Sequence, residues 1–113
     1  MSADCIFCKI IAGELPTTVV YETDDVLAFP DLHAQAPHHY LIIPKQHIAS
    51  LKEATDEIIL GKLLLAAKQV AINAGIADSG FRTNINCGDD GGQTVYHIHV
   101  HVLGGRRMTW PPG

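Results

Sequence analysis

With 113 residues, 47% of them hydrophobic and 18% charged, the chain has the size and composition of a single ordinary globular domain, expected to span residues 1–113. A net charge of −4 and a pI near 5.9 argue against a nucleic-acid or membrane partner, which reward basic surfaces, so any phosphate must be met locally. Three cysteines are an odd number and fit a reducing compartment better than a disulfide framework.

Met1 to Cys5 lack the basic segment, apolar run and small-residue cleavage site of a signal peptide, and no apolar stretch approaches a membrane span. A cytoplasmic location is the expectation. Cys5 to Gly13 reads as a short helix with Asp4 as N-cap and Gly13 as its stop. Cys5-x-x-Cys8 has the spacing of half a zinc site if two more nitrogen or sulfur ligands converge, with His47 and His97 as candidates. The alternative is a pair of inert buried thiols.

Thr17–Glu22 and Val26–Phe29, joined by Thr23-Asp24-Asp25, form a hairpin pattern, with Pro30 and Asp31 at the mouth of its second strand. A loop carrying His33 follows, and then the strand-like His39-Tyr40-Leu41-Ile42-Ile43-Pro44. Adjacent His38 and His39 cannot face the same way in extended chain. Asp56 to Ala74 is the one long helix, with Thr55 or Asp56 as cap and Gly75 as stop. Its apolar residues run nearly all round, which predicts burial on more than one side and a homodimer. Gly80–Cys87 alternates like a strand, and Asp89-Asp90-Gly91-Gly92 then makes a hairpin connection.

In Thr94–Leu103, His97, His99 and His101 alternate with Ile98, Val100 and Val102. Read as a strand, the run places three histidines on one face, about 6–7 Å apart. Three histidines in register make either a metal site or a catalytic face. The Gly-rich Asn86–Thr94 turn, closed by Gln93 and Thr94, tilts the choice towards phosphate chemistry through backbone N–H groups, the Gln93 amide and the Thr94 hydroxyl. No P-loop or Rossmann motif occurs. The elements together predict an α+β fold: an antiparallel sheet of about five strands, one short helix and one long helix.

The Gln93-x-Val95-x-His97-x-His99-x-His101-Val102 pattern resembles the signature of the histidine triad (HIT) superfamily of nucleotide hydrolases and transferases. The ending from Leu103 through Trp110-Pro111-Pro112-Gly113 is similar to that of its HINT branch, the purine nucleoside phosphoramidases. Ile6-Phe7, Lys9-Ile10-Ile11, Ala28-Phe29 with Asp31, and Gln35–Ile48 extend the likeness.

The resemblance implies a HIT-like fold and hydrolysis of purine nucleoside 5′-phosphoramidates to the nucleoside monophosphate and an amine. His99 would be the nucleophile and carry a nucleotidyl intermediate. His101 would bind a phosphoryl oxygen, while His97 and buried His39, rather than an exposed His38, would maintain the hydrogen-bond relay. Phe7, Ile10 and Leu41 would contact substrate on the apolar side, Asp31 would hold the ribose hydroxyls, and Asn86, Gln93, Thr94 and the amide of Val95 would serve the phosphate. Trp110 would dock near an active site, that of the partner subunit.

No cofactor would be required, and a zinc on Cys5, Cys8, His47 and His97 would be structural. Within the superfamily the rival activity is that of a dinucleoside polyphosphate hydrolase or phosphorylase. Outside it stand a metal-binding protein and a nucleotide-binding module without significant turnover.

Overall fold

The computed structural model describes residues 4–113; Met1, Ser2 and Ala3 of the expected domain lie outside the described residues. Helix α1 covers Ile6–Ile11, strands β1 Tyr21–Glu22, β2 Val26–Pro30 and β3 His38–Pro44 follow, and α2 covers Glu57–Asn73. Strands β4, Phe81–Asn84, and β5, Val100–Gly104, complete the chain. The five strands form one antiparallel sheet in the order β1-β2-β3-β5-β4, so the fold is α+β as predicted.

Strand alternation sorts the side chains into two cores. Val26 and Ala28 of β2, Ile42 of β3 and Val100 and Val102 of β5 pack with Leu63, Ala66, Ala67, Val70 and Ala71 of α2. Leu27, Phe29, Leu41 and Ile43 point to the opposite face and pack with Cys5, Phe7 and Cys8 around α1. The site lies on this second face, because Leu41 pairs in register with His101. One helix backs the sheet and the other walls the chemistry.

Helix α2 begins at Asp56, whose carboxylate accepts from the Ile58 amide, and gives way to Gly75 at φ +77°. Burial on more than one side is not what this chain achieves alone. Ile58, Leu64, Leu65 and Ile72 remain exposed on the side away from the sheet. Helix α1 is capped by Cys5 and not by Asp4: the Cys5 sulfur accepts from the Cys8 amide.

The expected strand through all three histidines is also corrected, since only Val100–Gly104 pairs. Continuing the register that sets Ile42 opposite Val100 brings Pro44 opposite Ile98, and proline has no N–H to extend the ladder. The Ile98 amide bonds to the Ile48 carbonyl instead, at 2.7 Å. The hairpin strand β1 is shorter than its apolar run, and β4 ends at Asn84, three residues before Cys87.

Leu63 is wholly buried between α2 and the sheet. Leu63→Ala is expected to lower unfolding free energy by about 2–5 kcal/mol, measured by urea denaturation. A loss under about 0.5 kcal/mol would contradict the core assignment.

Candidate functional site

On the α1 face a cavity of about 960 Å³ opens between α1, the end of β2, the loop after it and the Gly-rich turn. Of the residues expected to meet substrate, Phe7, Ile10, Asp31, Leu41, Asn86, Thr94, Val95, His99 and His101 all line it. Its apolar half is made by α1 with Phe29 and Leu41, its polar half by the two histidines, Asp31, Asn86 and Thr94. Four expected site residues are elsewhere: His39, Gln93, His97 and Trp110 do not line the cavity.

Gln93 turns inward and is 6% exposed. Its amide NH₂ donates to the Ala49 and Val95 carbonyls, and its Oε1 accepts from the Gly88 amide. Both amide hydrogens are therefore committed to backbone carbonyls, tying the turn to the segment after β3. Gly88 and Gly92 take positive φ there, and the amides of Gly92 and Gln93 close the turn on Asp89 and Gly88. Among the described residues the amides of Thr94 and Val95 have no acceptor in the chain, so the donor set is narrower than the glycine content implied. Asn86 accepts at Oδ1 from Asn84 and keeps its own NH₂ for the cavity.

The hydrogen-bond partners assign the histidine tautomers. His99 Nδ1 lies 2.8 Å from the His97 carbonyl, which can only accept, so Nδ1 carries the proton and Nε2 is an open lone pair. Phe7 stands edge-on to the His99 ring, with centroids 5.2 Å apart. The Gln35 amide donates to His39 Nδ1 at 3.0 Å, which puts the His39 proton on Nε2. That proton faces His101 Nδ1 at 2.8 Å and an Asp31 oxygen at 3.3 Å. His101 is left with its proton on Nε2, as a donor. Burial, and then the neighbouring His99 and His39, push His101 down to about 4, and burial also lowers His39 against the opposing pull of Asp31.

His39 is the buried member of the adjacent pair, while His38 is half-buried and bonded to the Tyr40 hydroxyl at 2.7 Å, not solvent-exposed as expected.

His97 leaves the cavity face on which alternation places it and joins the Cys5, Cys8 and His47 set that the sequence offered as zinc ligands. Fully buried, it points away from the cavity, and its Nε2–H donates to the Pro44 carbonyl at 2.8 Å. Its Nδ1 then presents a lone pair to Cys5 Sγ at 3.3 Å, Cys8 Sγ at 3.6 Å and His47 Nδ1 at 3.2 Å. His47 Nδ1 lies 3.3 Å from Cys8 Sγ. All four ligand atoms fall within 4.8 Å of one another.

A four-coordinate zinc, with sulfur at about 2.3 Å and nitrogen at about 2.0–2.1 Å, spaces its ligand atoms roughly 3.3–3.8 Å apart. The separations of 3.2–3.6 Å among His97, His47 and the two sulfurs lie close to that spacing, and the Pro44 carbonyl supplies the usual partner for the far nitrogen of a ligating histidine. Two cysteines and two histidines are a donor set suited to zinc. The cluster fits the metal.

Trp110 is 81% exposed and does not dock within its own chain. The sequence reading missed Leu15, Pro16, Thr17, Thr18, Leu32 and His33 on the cavity rim, which come from segments without a motif. It also missed that Asp31 stands beside the His39–His101 pair. Asp31 was readable as an acid at a strand end, but only the fold brings those rings to it.

Residues 12–108 match the HIT domain family. An uncharacterized HIT-like protein of Synechococcus elongatus is 56% identical over 115 residues, covering all of both chains. The 14 kDa zinc-binding protein of Brassica juncea is 54% identical over 114 residues, covering 97% of this chain and all of that protein. A solved HIT family hydrolase from Legionella pneumophila Philadelphia 1 superposes with a TM-score of 0.94 at 51% identity, covering 97% of this chain and all of that one. With the buried His39, the His99 and His101 rings on one cavity and a match over residues 12–108, the chain belongs to the HIT domain family.

Proposed function

We propose that the protein hydrolyses purine nucleoside 5′-phosphoramidates, cleaving the P–N bond through a nucleotidyl intermediate on His99. The observation that carries this reading is the state of the His99 ring: its Nδ1–H is held by the His97 carbonyl and its open Nε2 lies in the cavity. A nucleophile needs a lone pair at the reacting atom and a fixed ring, and this hydrogen bond supplies both.

His99 Nε2 attacks the α-phosphorus as the P–N bond breaks, and the electron pair leaves on nitrogen, which departs as the amine after taking a proton. The Thr94 and Val95 amides and His101 Nε2–H stabilise charge on the phosphoryl oxygens, and the Thr94 hydroxyl, on the same cavity, donates towards the leaving nitrogen. Water then attacks phosphorus as the P–Nε2 bond breaks with its electron pair returning to Nε2; the proton water sheds to solvent offsets the one the amine took, leaving the nucleoside monophosphate and neutral His99. Phe7, Ile10 and Leu41 accommodate the base and Asp31 the ribose hydroxyls.

The Cys5, Cys8, His47 and His97 cluster holds a structural zinc in this reading, supported by its fit to the metal and by the name of the Brassica juncea relative. Zinc there supplies a cross-link between segments far apart in sequence. The chain acts as a homodimer, supported by the exposed Ile58, Leu65 and Ile72, spaced seven residues apart along α2 beside Leu64. Trp110, free of its own chain, serves a neighbouring subunit's cavity.

Amine release from adenosine 5′-phosphoramidate is expected to fall on the order of 10³-fold or more in His99→Ala, with nucleotide binding retained. Turnover within about tenfold of wild type would remove His99 from the reaction. Elemental analysis of purified protein is expected to find about one zinc per chain and almost none in Cys8→Ser.

The low affinity of His101 for a proton sets a pH dependence. Folded His101 titrates at about 4 against an ordinary 6.5, so between those values the unfolded chain binds the proton first. The resulting loss of stability is absent above pH 6.5, grows as the pH falls to about 4 and is constant below. Compared with His101→Asn, wild-type Tm is expected to fall progressively across that window; parallel curves would contradict the assignment.

A further inference from the structure

We propose that the Cys5, Cys8, His47 and His97 centre is a clasp on the nucleotide cavity: it fastens α1, which forms the cavity's apolar wall, to the segment that carries His99. The inference rests on reading the cavity as the nucleotide site and the cluster as a metal centre, and it adds that occupancy of the second controls the first.

Two routes connect them. The first runs through helix α1, whose six residues are far below the roughly 12–15 at which an isolated helix holds its shape in water. Its N-cap is Cys5 and its third residue is Cys8, so both sulfurs at the centre belong to this one turn and a half of helix. Between them Phe7 places its ring edge-on to His99, and Ile6 and Ile10 line the cavity from the same helix. Whatever holds the two sulfurs holds the wall.

The second route runs through His97. Its ring joins the cluster at Nδ1, its Nε2–H is anchored on the Pro44 carbonyl, and its own carbonyl accepts the His99 Nδ1–H at 2.8 Å. One residue therefore spans the centre and the nucleophile, its ring held at both nitrogens and its carbonyl held by His99. His97 acts here as a positioning residue. Freed from the cluster, its ring keeps the bond to Pro44 and an edge contact with Phe7, and α1 keeps that contact, the one to His99 and its packing on Leu27, Phe29, Leu41 and Ile43, none of which fixes the two sulfurs.

The test is hydrogen exchange and adenosine 5′-monophosphate binding on the purified full chain, before chelation, after it, and after zinc is returned. Chelation is expected to speed exchange of the 8–11 amides by about tenfold or more and weaken nucleotide binding by about tenfold, while the amides of β2 and β3 stay protected. Zinc should reverse both changes. Cys8→Ser should imitate chelation, and Cys8→His, which restores a ligand nitrogen, should recover much of the protection even if the serine variant fails to fold.

Helix exchange and affinity that stay within about twofold on metal removal would overturn the proposal, as would a protein that neither carries nor takes up zinc. Exchange rising equally throughout the sheet would also overturn it, because the centre would then support the whole fold and not one wall. Should phosphoramidate turnover survive His99→Ala, the catalytic reading falls while exchange of α1 still judges the clasp. If adenosine 5′-monophosphate does not bind at all, the nucleotide reading falls and the same exchange comparison decides.

Discussion

The bond from His99 Nδ1–H to the His97 carbonyl is the constraint on which the site depends. It is a side-chain contact between residues two apart, and it forms because the chain bends through Val95–His97 in place of continuing as strand. Had the ladder run on through His97, that carbonyl would have faced a neighbouring strand, and His97 would have stood beside His99 on the cavity face. Pro44 opposite Ile98 ends the ladder, and the same Pro44 then accepts the His97 Nε2–H. A residue that cannot donate thus becomes the anchor of the ring beside it.

From that bend follows the division of labour among the histidines. His99 and His101 remain with the cavity, while His97 crosses to the sulfur atoms of α1. His39 is fixed at Nδ1 by the Gln35 amide and aimed at His101 and Asp31 by Nε2. Each ring has one nitrogen committed to a group of known donor or acceptor character, so its other nitrogen has a determined role. Burial keeps the His39, His97 and His101 rings disposed to neutrality, which such a chain of single donors requires. Gln93 does comparable work for the turn, bonding three backbone groups and leaving the Thr94 and Val95 amides to the cavity.

Much of the fold was legible because period and punctuation agreed. Val26–Phe29 and His39–Pro44 read as strands, Asp56 and Gly75 bracket α2, and the number and direction of strands came out right. The site was legible where chemistry and position coincide, as in His99 on the cavity and His39 buried next to His101. Gln93 was misread because an amide beside a glycine turn looks the same whether it faces ligand or backbone. The place of His97 on the cavity face was misread because period-two alternation cannot reveal where pairing stops, whereas its grouping with Cys5, Cys8 and His47 was legible as a ligand set. Leu15 and Pro16 carry no pattern, and Thr17 and Thr18 read as the start of a strand that begins only at Tyr21; the approach of that loop to α1 makes them a rim.

The central claim, that His99 is the group that takes the nucleotide, is tested most directly by acid-free rapid quench of the protein with adenosine 5′-phosphoramidate, followed by intact-mass measurement and peptide mapping. The account predicts a transient nucleotidyl adduct whose mass increment maps to His99 and which decays as monophosphate accumulates. An adduct on another residue, or turnover with no adduct under conditions where one formed on His99 would persist, would contradict it.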